Sequence, residues 1–124
     1  MPTQNDVHQW IRIQFKVLVE INLIRIRGRD GFPQWVTTFT IDYSYTHTTE
    51  DFIHVLDTRI TSGEVKLFKG NIDQNTFESV TFNDPGLVAT SVTIRPMSWN
   101  NDIAVRLEIY GCEAVSKYIL MCYF

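Results

Sequence analysis

The residues of this chain that could support acid–base or metal chemistry are three histidines and a small number of carboxylates. The histidines are scattered, and none has a cysteine or a second histidine at metal-ligand spacing: His8, His47 and His54. Asp42, Glu50 and Asp51 could form a carboxylate pair, but any chain of this length offers such pairs. Neither a glycine-rich phosphate loop nor a nucleophile elbow occurs. The sequence therefore predicts no catalytic residue, no metal site and no enzyme.

A second group of chemically informative residues lies between positions 25 and 34. Phe32 and Pro33 stand between a glycine and a predicted strand, which would place an apolar group at a loop tip. Three arginines alternate before this loop and could share one strand face: Arg25, Arg27 and Arg29. One interpretation is a spike that contacts an anionic membrane or another ligand. The other is that Phe32 folds back onto Trp35 and the arginines form a solvated strand face.

Composition limits the function classes that need to be considered. A chain of 124 residues with 44% hydrophobic residues is typical of a single globular domain. Its net charge of −3 is too small to imply nucleic acid as an obligatory partner. No apolar run reaches the roughly 18 residues that a membrane helix needs, so no transmembrane segment is predicted. The polar start of the sequence does not have the pattern of a signal peptide.

The elements that must position these residues are β-strands. Strand signals recur about every eight to twelve residues and are separated by turn residues, as in a sandwich or barrel, and no convincing helix is found. Residues 10–13 open the first strand, and a second covers residues 17–26 with a break near Asn22. Further strands are predicted at 35–44, 52–56, 65–68, 77–82, 91–95 and 104–110. In the last of these, Val105, Leu107 and Ile109 alternate with polar residues, which is the period of a half-buried strand.

Three motifs identify the kind of β domain. The run TIRPMSWNNDIAVRLEIYGC at residues 93–112 has the form of two strands around a Trp-bearing loop and ends in a Gly-Cys closure. The run GRDGFPQWVT at residues 28–37 and the turn FKGNID at 68–73 precede it in order and at plausible spacing. Together these segments resemble the discoidin domain, also called the coagulation-factor type C domain. The resemblance covers roughly residues 8–112.

The resemblance implies an all-β fold, a distorted antiparallel jelly-roll β-sandwich with loops clustered at one end. It also implies non-catalytic recognition: a module that attaches a larger extracellular protein to a cell surface, matrix protein, glycan or anionic lipid headgroups. Variable loops on a rigid scaffold would do the binding. The alternatives are a carbohydrate-binding appendage of a glycan-active enzyme, and a truncated fragment without independent function.

The site residues that we expect lie mainly in the matched loop. They are Arg29, Asp30, Phe32, Pro33 and Gln34. Further candidates are Arg27, together with Trp99 and Asn100 from the predicted loop before the last strand. Asp42 is a further candidate, because neuropilin-like members of the family carry an acid at a similar position, where it pairs with a ligand's arginine. The alternative for Asp42 is a solvent-facing strand residue.

The resemblance implies internal roles for a few other residues. Arg106 occupies a position that usually makes an ion pair or hydrogen bonds within the domain, and Trp99 is more often structural than ligand-binding. Asn71 and Asp73 have the pattern of a tight turn. No cofactor is predicted, although carbohydrate-binding relatives allow a structural calcium held largely by backbone carbonyls.

The ends of the sequence give the remaining expectations. We divide it into a discoidin-like domain at 1–112, which lacks the family's first strand or two, and an apolar tail at 113–124. In the family, a cysteine at the position of Cys112 usually bridges to one near the domain start, and no cysteine precedes Cys112 here. A pairing with Cys122 would close only a short loop. We therefore expect Cys112 to be a free thiol.

Overall fold

The protein is described by a computed structural model that covers residues 6–46, 52–57, 63–82 and 86–114. All regular structure in these ranges is β-strand, as the sequence predicts. The strands in chain order are β1 (Ile11–Arg27), β2 (Trp35–Ser44), β3 (Ile53–His54), β4 (Phe68–Lys69), β5 (Glu78–Thr81), β6 (Leu87–Asn100) and β7 (Arg106–Glu113). No helix in these ranges is long and apolar enough to cross a membrane.

The strands form one curled antiparallel sheet. Along it the order is β3-β2-β6-β1-β5, with β4 also paired to β2 and β7 also paired to β1. β1 is the connecting element, because its first residues pair with β6 and its residues from Val19 onward pair with β6, β7 and β5. The register shifts between Gln14 and Val19, and this irregularity marks the point where β1 passes from one layer to the other.

Apolar side chains from both layers meet in a single core. Its fully buried members come from β1, β2 and β6, with Ile103 from the connection between β6 and β7. Those on the strands include Ile21, Ile24, Ile26, Val36, Phe39, Ile41, Val92 and Ile94. The strand periodicity of the sequence predicts six buried residues, namely Trp35, Phe39, Ile41, Ile94, Leu107 and Ile109. Four of them are buried: Phe39, Ile41, Ile94 and Ile109. Trp35 and Leu107 are only half-buried. Each stands near the end of its strand, beside the loops, where fewer neighbours cover it.

Several strand boundaries differ from the sequence-based expectation. The predicted break near Asn22 is a register shift between Ile21 and Leu23 inside a continuous β1, not the end of a strand. β6 continues to Asn100, so Trp99 and Asn100 lie at the end of a strand rather than in a loop. Pairing with β2 extends β6 this far, since Trp99 is opposite Val36 and Asn100 is opposite Trp35.

The carboxyl-terminal part of the chain also requires a correction. Cys112 is disulfide-bonded, so the expectation of a free thiol at this position is wrong. Spacing along the sequence could not decide this, because a disulfide depends on the positions of two backbones in space. β7 runs to Glu113, one residue past the predicted domain boundary. The rest of the predicted tail, residues 115–124, lies outside the described residues.

Truncating a core side chain should measure how far the core stabilises this fold. We expect Ile94→Ala to lower the free energy of unfolding by about 2–5 kcal/mol, because it leaves a cavity in a fully buried site. Leu67 is 57% exposed and is a matched control. Leu67→Ala should change stability by less than about 0.5 kcal/mol. Urea denaturation of both variants would make the comparison, and equal losses would contradict this assignment of the core.

Candidate functional site

Three connections meet at one end of the sandwich, which we call the loop end: residues 28–34, 71–76 and 101–105. The 28–34 loop joins β1 to β2, and the 101–105 loop joins β6 to β7. Because Trp35 at the start of β2 pairs with Asn100 at the end of β6, these two loops must lie side by side. The pairing of Arg27 with Arg106 fixes their other ends in the same way.

Arg106 holds the loop end together. Its Nε donates to the carbonyl oxygen of Gly28 at 2.5 Å, and one terminal nitrogen donates to the carbonyl oxygen of Gln74 at 3.1 Å. One guanidinium thus joins the 28–34 loop to the 71–76 loop. The internal hydrogen-bonding role that the resemblance implied for Arg106 is therefore observed. Gly28 lets the two ends of the 28–34 loop approach each other closely, since a Cβ at this position would lie 2.3 Å from the carbonyl oxygen of Gln34.

The 28–34 loop is closed and braced from within. The backbone nitrogen of Arg29 donates to the carbonyl oxygen of Gln34 at 3.0 Å, and the Arg29 guanidinium donates to Gln34 Oε1 at 3.2 Å. Gln34 Nε2 donates to Asp102 Oδ2 at 2.7 Å. These contacts bind the 28–34 loop to the 101–105 loop. Gln34 is therefore placed as a brace, and its side-chain amide is directed into the protein.

Asn100, Asn101 and Pro33 add a second brace. The side-chain amides of Asn100 and Asn101 each donate to the carbonyl oxygen of Pro33 at 2.9 Å. Asn101 has a positive φ of 61°, a conformation that asparagine tolerates better than most residues. The predicted site residue Asn100 thus supports the loop from β6, while the Pro33 ring remains exposed.

Phe32 lies at the exposed part of the 28–34 loop. Its side chain is 47% exposed, and the Arg29 guanidinium lies 3.9 Å from the ring centroid. The Arg29 guanidinium covers one face of the Phe32 ring, and the ring is not folded into the core. Asp30 is also exposed. The loop thus presents an aromatic ring, a cation and an anion to solvent.

A cavity lies beneath this loop. Its volume is about 430 Å³, and it is lined by Arg29, Asp30, Ala104, Val105 and Arg106. This volume falls within the roughly 300–1,000 Å³ typical of small-ligand pockets. The structure therefore brings two of the predicted site residues, Arg29 and Asp30, to the rim of a concave surface.

The three alternating arginines do not form one solvated face. The guanidiniums of Arg25 and Arg27 lie 3.9 Å and 4.3 Å from the ring centroid of Phe77. Arg25 also pairs with Glu108 at 3.4 Å. Arg27 Nε is buried and makes no hydrogen bond in the part of the chain that the structure describes. Arg27, a predicted ligand residue, is thus engaged with the scaffold, and only Arg29 reaches the loop end.

Trp99 and Asp42 also serve internal contacts. Trp99 is half-buried and packs against the core. The side chain of Asp42 is only 1% exposed, which excludes the solvent-facing alternative. Arg95 Nε donates to one of its oxygens at 2.6 Å, and His54 Nδ1 contacts the other. Asp42 therefore pairs with an arginine of its own chain, at the position where the resemblance implied a ligand's arginine.

Asn71 and Asp73 build the tight turn that their sequence indicates. Asn71 Nδ2 donates to the carbonyl oxygens of Ile26 and Thr76 at 2.9 and 3.0 Å. Asp73 accepts hydrogen bonds from the backbone nitrogens of Thr76 and Asn75 and from the Thr76 hydroxyl. The hydrogen bonds from Thr76, followed by that from Asn75, lower the pKa of the Asp73 carboxyl below its usual range.

The side chains of this turn do not by themselves provide a calcium site, and a calcium held largely by backbone carbonyls stays an expectation of the resemblance. Calcium needs six to eight oxygen ligands. The Asp73 carboxylate is already occupied by donors of its own turn, and Asn71 Oδ1 is one buried oxygen without a hydrogen bond among the described residues. No group of three or more His, Cys, Asp or Glu side chains is gathered as a metal site within the described ranges.

Sequence reasoning missed an exposed apolar surface at the opposite end of the sandwich. Val17 and Leu18 are exposed in the irregular part of β1. Tyr45, just past the end of β2, is also exposed, and Gln14 and Ser44 both pair with Ser91 from opposite sides of β6. The available signal was the run of three apolar residues at 17–19, which breaks the two-residue period.

Comparison with known proteins agrees with this geometry. A family model described as the F5/8 type C domain matches residues 1–109. The chain is 32% identical to coagulation factor VIII of Mus musculus over 94% of its own length, and 32% identical to hemocytin of Bombyx mori over 90%. It is 25% identical to retinoschisin of Mus musculus over 88%. The chain spans only 5%, 3% and 46% of these three relatives.

Solved structures agree on the fold. Discoidin II from Dictyostelium discoideum superposes with a TM-score of 0.77 at 25% identity, covering 92% of this chain and 41% of that one. The predicted jelly-roll β-sandwich is thereby confirmed. The chain belongs to the F5/8 type C, or discoidin, domain family.

Removing the guanidinium that joins the loops should loosen the loop end. We expect Arg106→Ala to cost about 1.5–3 kcal/mol in the free energy of unfolding, the range for hydrogen bonds from charged groups. Arg106→Lys should recover only part of it, because an ammonium cannot span two carbonyl groups as a planar fork does. Urea denaturation measures both. Hydrogen exchange should also accelerate in residues 28–34 and 71–76, and unchanged exchange there would contradict this role.

The lowered pKa of Asp73 predicts an acid-sensitive contribution to stability. A carboxyl with a depressed folded-state pKa stabilises the fold above its unfolded-state value of about 3.9, and the contribution disappears as pH falls through the folded-state value. Asp73→Asn should therefore flatten the dependence of unfolding free energy on pH below about pH 4. Urea denaturation of both proteins across the acid range would test this, and parallel curves would refute it.

Proposed function

We propose that this chain is a non-catalytic recognition module that attaches a larger extracellular protein to a surface through its loop end. The observation that carries the proposal is the braced 28–34 loop, which presents Phe32 and the Arg29 guanidinium to solvent. The occurrence of the family in coagulation factors, hemocytin and retinoschisin supports an extracellular binding role. The surface is a cell membrane, a matrix protein or a glycan, and anionic phospholipid is the ligand that this pair of groups suits best.

The proposed mechanism follows from the rigidity of the loop. Arg106, Gln34 and the two asparagines hold the 28–34 loop in place before any ligand arrives, so little conformational entropy is lost on binding. Phe32 then inserts among apolar groups, and Arg29 meets phosphate or carboxylate. Pro33 adds exposed apolar area beside Phe32, and Asp30 restricts which headgroups can approach. Gln34 acts as a positioning residue.

We assign no catalytic role to the contact between His54 and Asp42. Asp42 is also paired with Arg95, so its negative charge is already compensated. His54 stands on the two-residue strand β3, which is opposite Asp42 on β2. The contact therefore joins a short edge strand to the sheet, and a structural role accounts for all of its geometry.

A second contact surface has its own support. Val17 and Leu18 on β1 and Tyr45 just past β2 are exposed apolar side chains on the two strands that flank β6, and the exposed Lys16 precedes Val17. Such a group could also enter the headgroup region of a membrane. The double variant Val17→Ser/Leu18→Ser is therefore the comparator for any variant of the loop end.

The cavity beneath the loop supports a second candidate function, a carbohydrate-binding appendage. A carboxylate and a guanidinium over Ala104 and Val105 offer hydrogen bonds at the rim and an apolar floor, which suits the hydroxyls and C–H faces of a sugar. A glycan array that gives signals with the parent and none with Asp30→Ala would favour this function over lipid attachment. The absence of a cooperative thermal transition would favour a fragment without independent function.

Replacing Phe32 should separate attachment from stability. We expect Phe32→Ala to weaken binding to vesicles of phosphatidylserine and phosphatidylcholine at least about fivefold while changing stability by less than about 0.5 kcal/mol. A core aromatic would instead lose about 3–5 kcal/mol of folding stability. Vesicle sedimentation and a melting curve make the two measurements. Undiminished binding by Phe32→Ala, with binding lost in Val17→Ser/Leu18→Ser, would move the site to the opposite end.

Salt dependence provides the control for the Arg29 contribution. Binding should require the acidic lipid and weaken as ionic strength rises, because exposed charges are screened beyond about 10 Å at 0.1 M salt. Arg29→Gln should reduce this dependence. Binding to neutral vesicles that persists at high salt would instead indicate a ligand recognised without charge.

A further inference from the structure

The outer edge of β5 is open and faces a cleft. β5 pairs with β1 at residues 78–81, and no second strand borders it within the part of the chain that the structure describes. The cleft beside it has a volume of about 410 Å³ and lies between β5 on one side and β4 with Val55 and Leu56 on the other.

The direction of the backbone groups in β5 follows from a single hydrogen bond. The backbone nitrogen of Phe82 donates to the carbonyl oxygen of Asn22 at 2.8 Å, so the main-chain groups of Phe82 point toward β1. In an antiparallel ladder, alternate residues point to opposite sides. The main-chain groups of Ser79 and Thr81 must therefore point away from β1, toward the open edge. Both residues are exposed and both line the cleft.

The floor of the cleft is apolar and continuous with the core. Phe68 is a buried member of the core, and Val55, Val80 and Phe82 are partly buried and pack against it. All four line the cleft. A strand lying along β5 would direct every second side chain onto this floor and the others to solvent. The cleft thus has both features of a strand-addition site: free backbone groups and pockets for alternate side chains.

Charge around the cleft selects the partner. Among the described residues that line it, Lys66 and Lys69 on the β4 side stand against one carboxylate, that of Glu78 from β5. The cleft is therefore locally positive in a chain whose net charge is −3. Such a surface attracts acidic segments and repels basic ones.

We propose that this cleft receives an extended acidic segment of a partner polypeptide, with apolar residues at alternate positions, which adds a strand to the outer edge of β5. Main-chain hydrogen bonds to Ser79 and Thr81 provide affinity. The apolar floor packs against the apolar side chains of the segment, and Lys66 and Lys69 attract its acidic side chains. No residue of the 28–34 loop lines the cleft, so the proposal does not depend on what that loop binds.

The test uses an acetylated, amidated octapeptide of alternating valine and glutamate. The matched variants are Ser79→Pro, which removes an outward N–H without removing a bond to β1, and Ser79→Ala, which keeps it. We expect saturable binding to the parent and to Ser79→Ala, and at least about tenfold weaker binding to Ser79→Pro, the effect of losing one well-formed hydrogen bond. A melting curve verifies that Ser79→Pro is folded.

Two further measurements keep the test decisive if Ser79→Pro does not fold. Lys66→Glu should weaken binding of the valine–glutamate peptide and favour a valine–lysine peptide of the same length. Hydrogen exchange of the Ser79 and Thr81 amides in the parent should slow when the acidic peptide is added. Absence of binding, binding unaffected in folded Ser79→Pro, or no slowing at these two amides would overturn the proposal. Self-association of the parent that Ser79→Pro abolishes would replace the peptide with a second copy of this chain.

Discussion

The constraint on which the rest of this structure depends is that one strand belongs to both layers. β1 pairs with β6 at its start, and with β7 and β5 at its end, so the sheet can curl around a core only if this strand changes direction. It does so at the irregularity between Gln14 and Val19. Val17 and Leu18 are exposed at the same irregularity, and the second half of the strand leads directly into the 28–34 loop. β5, paired along this second half, is left with its outer edge open.

Polar residues in this fold are used mainly to join elements. Arg106 joins two loops, Asn71 joins a turn to β1, and Asp42 compensates Arg95 while holding β3 to β2. A buried charge or amide without a partner destabilises the folded state. Removing one partner of such a contact therefore lowers the free energy of unfolding by more than the intact contact contributes to it. Binding residues must therefore be sought among groups that these internal contacts leave exposed, chiefly Phe32, Asp30 and the free part of the Arg29 guanidinium.

This distribution explains how much of the site could be predicted. The 28–34 loop was found because glycine and proline bracket an aromatic residue between two strands, which is a local signal. The internal engagement of Arg27, Gln34, Asn100 and Asp42 was not found, because each contacts a residue far away in sequence: Phe77, Asp102, Pro33 and Arg95. The open edge of β5 could not be predicted either, since the sequence of a strand does not show whether a second strand pairs with it.

The amino-acid sequence alone specifies the strand content, most of the core and the family. These depend on period-two alternation, on turn residues and on short motifs, all of which act over a few neighbouring positions. Tertiary structure decides which end of the sandwich each loop occupies and which arginines stack on aromatic rings. It also decides that Cys112 is disulfide-bonded. The physical reason is that these properties depend on the register between strands. A register is set by the combined packing of the whole sheet, and no single segment contains it.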